Sequence, residues 1–218
     1  MDKLPCNRPC LREPIPDIYQ AAQLLEKAVT SHLAGDFAST TLLIAQTNMR
    51  AIREWTESLW GKNSPYLHKR KIPAGPPHLP KDQRVAVRMP DADKRARLLA
   101  RDGYHCRFCG IPLIPKEVRQ AFHKLYKNSS IWGRRNDDQH AAFQAMWLQY
   151  DHVLPHSRGG DNSFDNLVIT CAPCNFGRME YTLEELGLLD PRSRDPIRSD
   201  WDGLERLSAS FIPGTGNL

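Results

Sequence analysis

Four of the six cysteines occur as two CxxC pairs, Cys106/Cys109 and Cys171/Cys174, with 61 residues between the pairs. A CxxC turn lets two thiolates converge on one ion, and two such turns complete a tetrahedral site with four sulfur ligands. A disulfide framework is a poor alternative, because the N-terminus MDKLPCNRPC lacks the apolar segment of a secretion signal. The spacing therefore predicts a structural Zn²⁺ site that joins two distant segments. Cys6 and Cys10 are interpreted as ordinary reduced thiols.

The bulk composition describes a globular protein with a basic bias. The 218 residues have a mean hydropathy of -0.55, and 30 Lys and Arg against 25 Asp and Glu give a net charge of +5. This excess permits a polyanionic partner. We expect no membrane partner and a cytoplasmic location, because no run approaches the ~18 apolar residues that a membrane helix needs.

The first third of the chain has two kinds of composition. Apolar residues at helical spacing predict two helices over residues 17–60, so residues 1–61 are expected to form a helical hairpin. The turn is placed at Gly35 and Asp36. Two helices alone bury little, so the hairpin is expected to dock on the rest of the chain, on a second copy or on another protein. Residues 62–90 contain six prolines and seven Lys or Arg, which predicts an extended basic linker. Phosphate contact and a solvated connector both fit this linker.

Residues 91–190 return to regular patterns and are expected to form a second domain, followed by a C-terminal tail at 191–218. A capped basic helix, DADKRARLLARDG, leads into the first cysteine pair. Residues 116–145 look mostly helical, with a turn expected at Arg134, Arg135, Asp137 and Asp138. Two strands are predicted at MWLQYDHVL and NLVITC, followed by a helix from Pro173 to about Glu180. Thr182 and Glu185 have the spacing of a capping box.

The stretch YDHVLPHSRGGDNSFDNLVITCAPCN combines histidines, aspartates, asparagines and cysteines without an amphipathic period. Together with RDGYHCRFCG, the motifs DHVLPHSRGGDNSFDNL and CAPCN resemble the HNH endonucleases over about residues 91–180. The resemblance implies an α+β fold with a ββα-metal core. In this chain the four-cysteine zinc site would hold that core together, and the hairpin and further helices would precede the first strand.

The resemblance implies a role for each matching residue. His152 matches the general base, and Asp151 matches a ligand of the catalytic cation. Asn166 matches the residue that braces the loop and orients the histidine. Asn175 stands at the last position, where other members have histidine or a metal-binding asparagine, so the chain resembles an HNN variant.

The residue types themselves suit phosphodiester hydrolysis. Neutral imidazole is a competent base at cellular pH. A carboxylate and an amide oxygen are hard ligands, which favour Mg²⁺ or Mn²⁺ as the catalytic cation. Arg158, Arg178 and His156 are candidates for nucleic-acid contacts. At positions 158 and 178 the sequence is equally consistent with a solvated arginine that contacts no phosphate.

We therefore expect a metal-dependent endonuclease that contacts DNA mainly through phosphates. It would serve alone or as the nuclease subunit of a bacterial or phage multi-protein system, for instance in antiviral defence. The alternatives are a zinc-stabilised nucleic-acid-binding module without cleavage activity and an RNA-cleaving enzyme of the same family.

Overall fold

A computed structural model describes residues 7–72 and 75–209, with side chains up to Leu207. Cys6 lies outside the described residues. Within them the chain forms nine α-helices and one two-stranded antiparallel sheet, which is the mixed α+β class predicted. None of the helices in the described ranges combines the length and the apolar character that crossing a membrane requires.

The N-terminal region contains three helices, α1 (Pro16–Leu33), α2 (Phe37–Gln46) and α3 (Arg50–Leu59). The predicted turn is confirmed: Gly35 has φ +80°, and the Asp36 side chain accepts the Ser39 N–H over 2.9 Å. The prediction of one continuous second helix was wrong. The chain breaks between α2 and α3, where Asn48 Oδ1 accepts the N–H of Ala141 over 2.8 Å. A local pattern does not reveal a partner so distant in sequence.

Helix α3 connects the N-terminal region to the rest of the molecule. It packs against α6 (Ala141–Ala145) and α7 (Ala172–Arg178) and buries Ile52, Trp55 and Leu59 there. The hairpin of α1 and α2 also contacts later elements through α1. Docking on the rest of the chain, the first of the three expected arrangements, is therefore observed, and these helices share one hydrophobic core with the predicted second domain.

Two helices frame the first cysteine pair. Helix α4 (Ala92–Asp102) is capped by Asp91, which accepts the Lys94 N–H, and ends at Gly103 with φ +69°, as predicted. Helix α5 (Lys116–Leu125) follows the pair. The turn predicted around Arg134 to Asp138 is present as a 3₁₀ turn, Asn136–Asp138, but the expectation of mostly helix was wrong for the rest of residues 126–140, which are irregular. There the Arg119 guanidinium lies 3.6 Å from the centroid of a Trp132 ring, a tertiary contact that holds an irregular chain.

The sheet pairs β1 (Leu148–His152) with β2 (Leu167–Cys171), and both predicted strands are confirmed. In this register Leu148 lies opposite Cys171, and His152 lies opposite Leu167. Helix α7 follows β2 directly and packs on both strands. The capping box of Thr182 and Glu185 forms as predicted and opens α8 (Leu183–Leu186).

The linker and the C-terminal tail both pack against the folded chain. The described part of the linker contains one 3₁₀ turn, Lys81–Gln83, and is otherwise irregular, with turns at 62–63 and 65–66. In the tail, Trp201 Nε1 donates to the Leu113 carbonyl over 2.8 Å, and Leu204 and Leu207 are fully buried. Helix α9 (Arg206–Ala209) contacts α1 and α5. Residues 201–207 of the tail therefore contribute to the core.

Candidate active site and metal centre

The four cysteines of the two CxxC pairs meet at one point. Their sulfur atoms all lie within 4.8 Å of one another, and Sγ of Cys109 and Sγ of Cys171 are 3.6 Å apart. Tetrahedral zinc with Zn–S distances of about 2.3 Å places its sulfurs about 3.8 Å apart. Cys106, Cys171 and Cys174 are buried. The donor set therefore fits a metal such as zinc.

Local turns and one long-range pairing build this cluster. In each pair the second cysteine donates its backbone N–H to the first sulfur, over 3.5 Å at Cys106 and 3.4 Å at Cys171. The segment that carries the first pair is fixed along β2. Asp102 Oδ2 accepts the Ile169 N–H, and Arg107 N–H donates to the Ile169 carbonyl. These bonds place Cys106 and Cys109 beside Cys171 at the end of β2.

A cleft of about 570 Å³ opens at the other end of the sheet, where β1 ends. Asp151, His152 and Asn175 all line it, although the first two are neighbours in one strand. Both are largely buried, at 7% and 5% exposure. Both residues are paired regularly in β1, opposite Val168 and Leu167, and both still contribute atoms to the wall of the cleft. The cleft thus collects the predicted base and both predicted cation ligands.

Asn166 holds the loop between the strands, and its side chain makes no hydrogen bond to the His152 ring. Its Oδ1 accepts the Leu154 N–H over 2.8 Å, and its Nδ2 donates to the carbonyls of Leu154 and Asp161. Gly160 is required beside it, because an added Cβ would lie 1.8 Å from the Leu154 carbonyl oxygen. The side chain of Asn166 therefore closes the loop on itself, which matches the bracing half of its predicted role.

His152 is held from one side by Asn162. The ring Nε2 lies 2.9 Å from Asn162 Oδ1. Burial lowers the pKa of His152 below its usual value of 6.5, and the Asn162 hydrogen bond and the Asp151 charge partly offset this. A lowered pKa keeps the imidazole neutral at cellular pH, which is the state a base needs.

Asp151 is paired with Arg178 inside the protein. Arg178 Nε and Nη2 both bind Asp151 Oδ2, at 3.1 and 2.7 Å. Burial raises the pKa of the Asp151 carboxyl, and the guanidinium of Arg178 offsets part of that rise. Because both bonds use Oδ2, Oδ1 is the oxygen left for a further partner.

Asn175 reaches the same cleft from α7. It is half-buried, and its side chain makes no hydrogen bond to another of the described residues. Its amide is thus available to a ligand in the cleft, unlike the amides of Asn162 and Asn166.

Residues 138–182 match the family model of the HNH endonucleases. This part of the chain, here called the HNH segment, is therefore similar to the HNH endonucleases. It contains β1, the loop, β2 and α7 with the second cysteine pair, whereas the first pair lies outside the match. No curated protein and no solved structure matches the chain.

Two arginines of the HNH segment do not have the position expected of phosphate contacts. Arg178 is 1% exposed, and besides Asp151 it binds the backbone carbonyls of Val153 and Tyr181. Arg158 is paired with Glu185 over 2.9 Å and donates to the Pro76 carbonyl. Both predictions are corrected, since the donors of these side chains serve the fold. The phosphate contact of His156 stays a prediction: its Nε2 binds the Val85 carbonyl over 2.7 Å, and its ring lines the cleft.

The sequence reading missed the opposite wall of the cleft. Residues 76–88 of the linker, here called the strap, supply Lys81, Arg84 and Arg88 to its lining. Asn162 was missed as well. The cationic run of the linker and the many asparagines of the loop were visible signals, but neither shows which side chains meet.

Proposed function

We propose that the chain is a metal-dependent endonuclease that hydrolyses phosphodiester bonds of DNA. The observation that carries the proposal is the cleft itself, in which Asp151, His152 and Asn175 face the cationic strap within an HNH segment. A neutral imidazole, hard oxygen ligands and nearby cations are the groups that hydrolysis of a phosphodiester needs.

Each group has a separate task. His152 takes the proton of a water molecule while the water oxygen bonds to phosphorus and the bond to the departing 3′ oxygen breaks. Asp151, through Oδ1, and Asn175 would hold Mg²⁺ or Mn²⁺, which when bound stabilises the negative charge on the phosphoryl oxygens. Asn166 keeps the loop closed so that His152 stays at the cleft.

We assign the four-cysteine cluster to structural Zn²⁺. Four thiolates leave no open coordination position, and a closed site serves folding instead of chemistry. The two metal sites thus have different ligands and different tasks.

Basic residues around the cleft favour nucleic acid as the substrate. Lys81, Arg84 and Arg88 line the cleft, and α4 carries exposed Arg95 and Arg97 beside the loop, where Lys94 donates to the Asn162 carbonyl. Cations in such an arrangement contact phosphates and read no bases. DNA is the proposed substrate, and RNA is the alternative substrate included in the activity assay.

The α1–α2 hairpin is the proposed partner surface, either for a second copy or for another subunit of a bacterial or phage system. It exposes Leu33, Phe37 and Leu42, the last at 65%. Exposed apolar side chains that lie close together mark interaction sites. The mass of the purified chain in solution, with and without Leu42→Glu, checks self-association; equal monomer masses would exclude it.

The activity is tested by incubating the purified full chain with supercoiled plasmid and with a structured RNA, with added Mg²⁺, with Mn²⁺ or with no added metal. We expect cutting of the plasmid only with a divalent cation. His152→Ala should lower the rate by about 10²- to 10⁴-fold, the usual contribution of a general base. His123→Gln, on α5 outside the cleft lining, is the matched control.

Three outcomes would overturn the proposal. Equal rates for wild type and His152→Ala would remove His152 from the mechanism. Cutting of RNA alone would change the substrate. DNA binding that survives His152→Ala, with no cutting by wild type under any metal, would make the chain a zinc-stabilised binding module.

A further inference from the structure

Asn162 stands between the candidate base and the strap. Its Oδ1 lies 2.9 Å from His152 Nε2, and its Nδ2 is hydrogen bonded to the Val87 carbonyl. One amide therefore joins a ring of the HNH segment to a backbone group of the linker, 75 residues apart in sequence. Neither Asn162 nor Val87 belongs to the set that the family resemblance assigns to catalysis.

The two bonds fix each other's direction. The Val87 carbonyl can only accept, so the NH₂ group of Asn162 must face it, and Oδ1 must face His152. An amide oxygen also only accepts, so His152 must carry its hydrogen on Nε2. The Nδ1 atom of the neutral ring is then the atom with a free lone pair. A flipped amide would place two oxygens together at Val87 and lose that bond.

The strap is held in place by bonds beyond Asn162. The Leu79 N–H donates to the Ser157 carbonyl over 2.8 Å, and Arg158 donates to the Pro76 carbonyl over 2.6 Å. His156 Nε2 binds the Val85 carbonyl over 2.7 Å. These contacts involve residues 156–158 of the loop that also carries Asn162, so the strap is held by the same loop that carries the amide.

We propose that Asn162 is a positioning residue that, anchored by the strap, holds His152 as the Nε2–H tautomer with Nδ1 as the proton acceptor. The strap is then a working part of the cleft, because its backbone sets the orientation of the amide. The catalytic meaning of the tautomer rests on the proposed function, whereas the tautomer itself does not.

The tautomer is measured directly by NMR. The full chain, labelled with ¹⁵N-histidine and kept with its bound metal, is recorded at pH 8, where a neutral ring shows distinct ¹⁵N shifts for its protonated and bare nitrogens. The His152 signals are identified by their loss in His152→Gln. We expect one fixed tautomer with hydrogen on Nε2. A ring with hydrogen on Nδ1, or an exchanging mixture in wild type, would overturn the proposal.

Two variants separate the two bonds of the amide. Asn162→Ala removes both, so the His152 signals should move to the averaged pattern of an exchanging ring, and amide hydrogen exchange in residues 84–88 should rise. Asn162→Asp keeps an acceptor for the ring but loses the donor to Val87, so exchange in the strap should rise while Nε2 stays protonated. Exposed Asn128→Ala, on the turn after α5, is the matched control and should change neither readout.

Kinetics add a readout of catalysis. Asn162→Ala should lower kcat by about 10- to 100-fold with KM nearly unchanged, because the ring loses its fixed orientation while the strap cations remain. A fall in kcat with the His152 tautomer still fixed would overturn the positioning role. If wild type cuts nothing, the proposed function fails, yet the NMR result still decides the tautomer.

Discussion

The four-cysteine cluster and the cleft lie at opposite ends of the same two strands, yet they are built differently. The cluster uses four identical side chains from two short turns, and each turn is closed by bonds within the pair. The cleft draws on β1, the loop, α7 and the strap, and many of its polar groups bind one another. The cluster is a set of four donors suited to one ion, whereas many polar groups of the cleft have partners within the protein.

This difference separates stability from chemistry. A metal held by four thiolates adds its binding free energy to folding, so the cluster should act on the whole fold. In the cleft, the hydrogen bonds among the described residues use one atom of a side chain and leave another, such as Oδ1 of Asp151 and Nδ1 of His152. Its residues should therefore affect stability one by one, according to how deeply each is buried.

The largest effect is expected from the cluster. Cys171→Ser removes one of four sulfurs at the end of β2, and structural zinc contributes ~10 to 16 kcal/mol of apparent binding free energy in small domains. We expect loss of bound zinc and a large fall in the temperature of unfolding. Metal content by atomic emission and thermal unfolding by circular dichroism check this.

Cys10→Ser is the matched control, because Cys10 is buried, at 4% exposure, but lies outside the cluster. It should keep one zinc per chain and lose little stability. If it released the metal as readily as Cys171→Ser, Cys10 would be a ligand and the four-sulfur assignment would be wrong.

A smaller loss of stability is expected from Arg178→Met, which removes the partner of Asp151 behind the wall of the cleft. The substitution leaves the Asp151 carboxylate buried without its partner, and breaking such a pair usually costs about 3 to 5 kcal/mol. Urea unfolding of the wild type and the variant measures the change in the free energy of unfolding. A substitution at this buried pair should therefore lower the free energy of unfolding as a substitution in the core does.

The double variant Asp151→Asn with Arg178→Met shows where that loss comes from. If an uncompensated charge causes it, the double variant should recover at least half of the lost free energy, since the amide at 151 is neutral. A double variant as unstable as the single one would mean that the bonds from Arg178 to the backbone carbonyls dominate instead.

The same contrast explains what the sequence could predict. The cysteine spacing, the Asp36 and Asp91 caps and the box of Thr182 and Glu185 depend on bonds between residues three positions apart, so the local pattern contains them. The strands were visible for a similar reason, because each precedes or follows a marked turn.

The contacts that complete the cleft join residues far apart in the chain. Arg178 meets Asp151 across 27 positions, and Asn162 meets Val87 across 75. An arginine next to a predicted site looks like a phosphate ligand until its burial is known. The break between α2 and α3 has the same origin, since Asn48 Oδ1 accepts the N–H of Ala141, which lies 93 positions away in the sequence.

The smallest effect is expected at the exposed face of the strap. Arg88 lines the cleft, is exposed, and makes no hydrogen bond to another described side chain. Arg88→Gln should leave the unfolding free energy within about 0.5 kcal/mol, as surface substitutions usually do. It should weaken DNA binding at every sequence alike and reduce the salt slope of binding by about 1, the signature of one lost phosphate contact.

Binding is measured by fluorescence anisotropy over a salt series in the His152→Ala background, so that the DNA stays intact. Arg134→Gln, an exposed arginine outside the cleft lining, is the matched control and should leave the salt slope unchanged. An equal loss in both variants would mean that affinity follows net charge alone. A loss confined to Arg88→Gln would place a phosphate at the strap, opposite His152, where the cleft has its free groups.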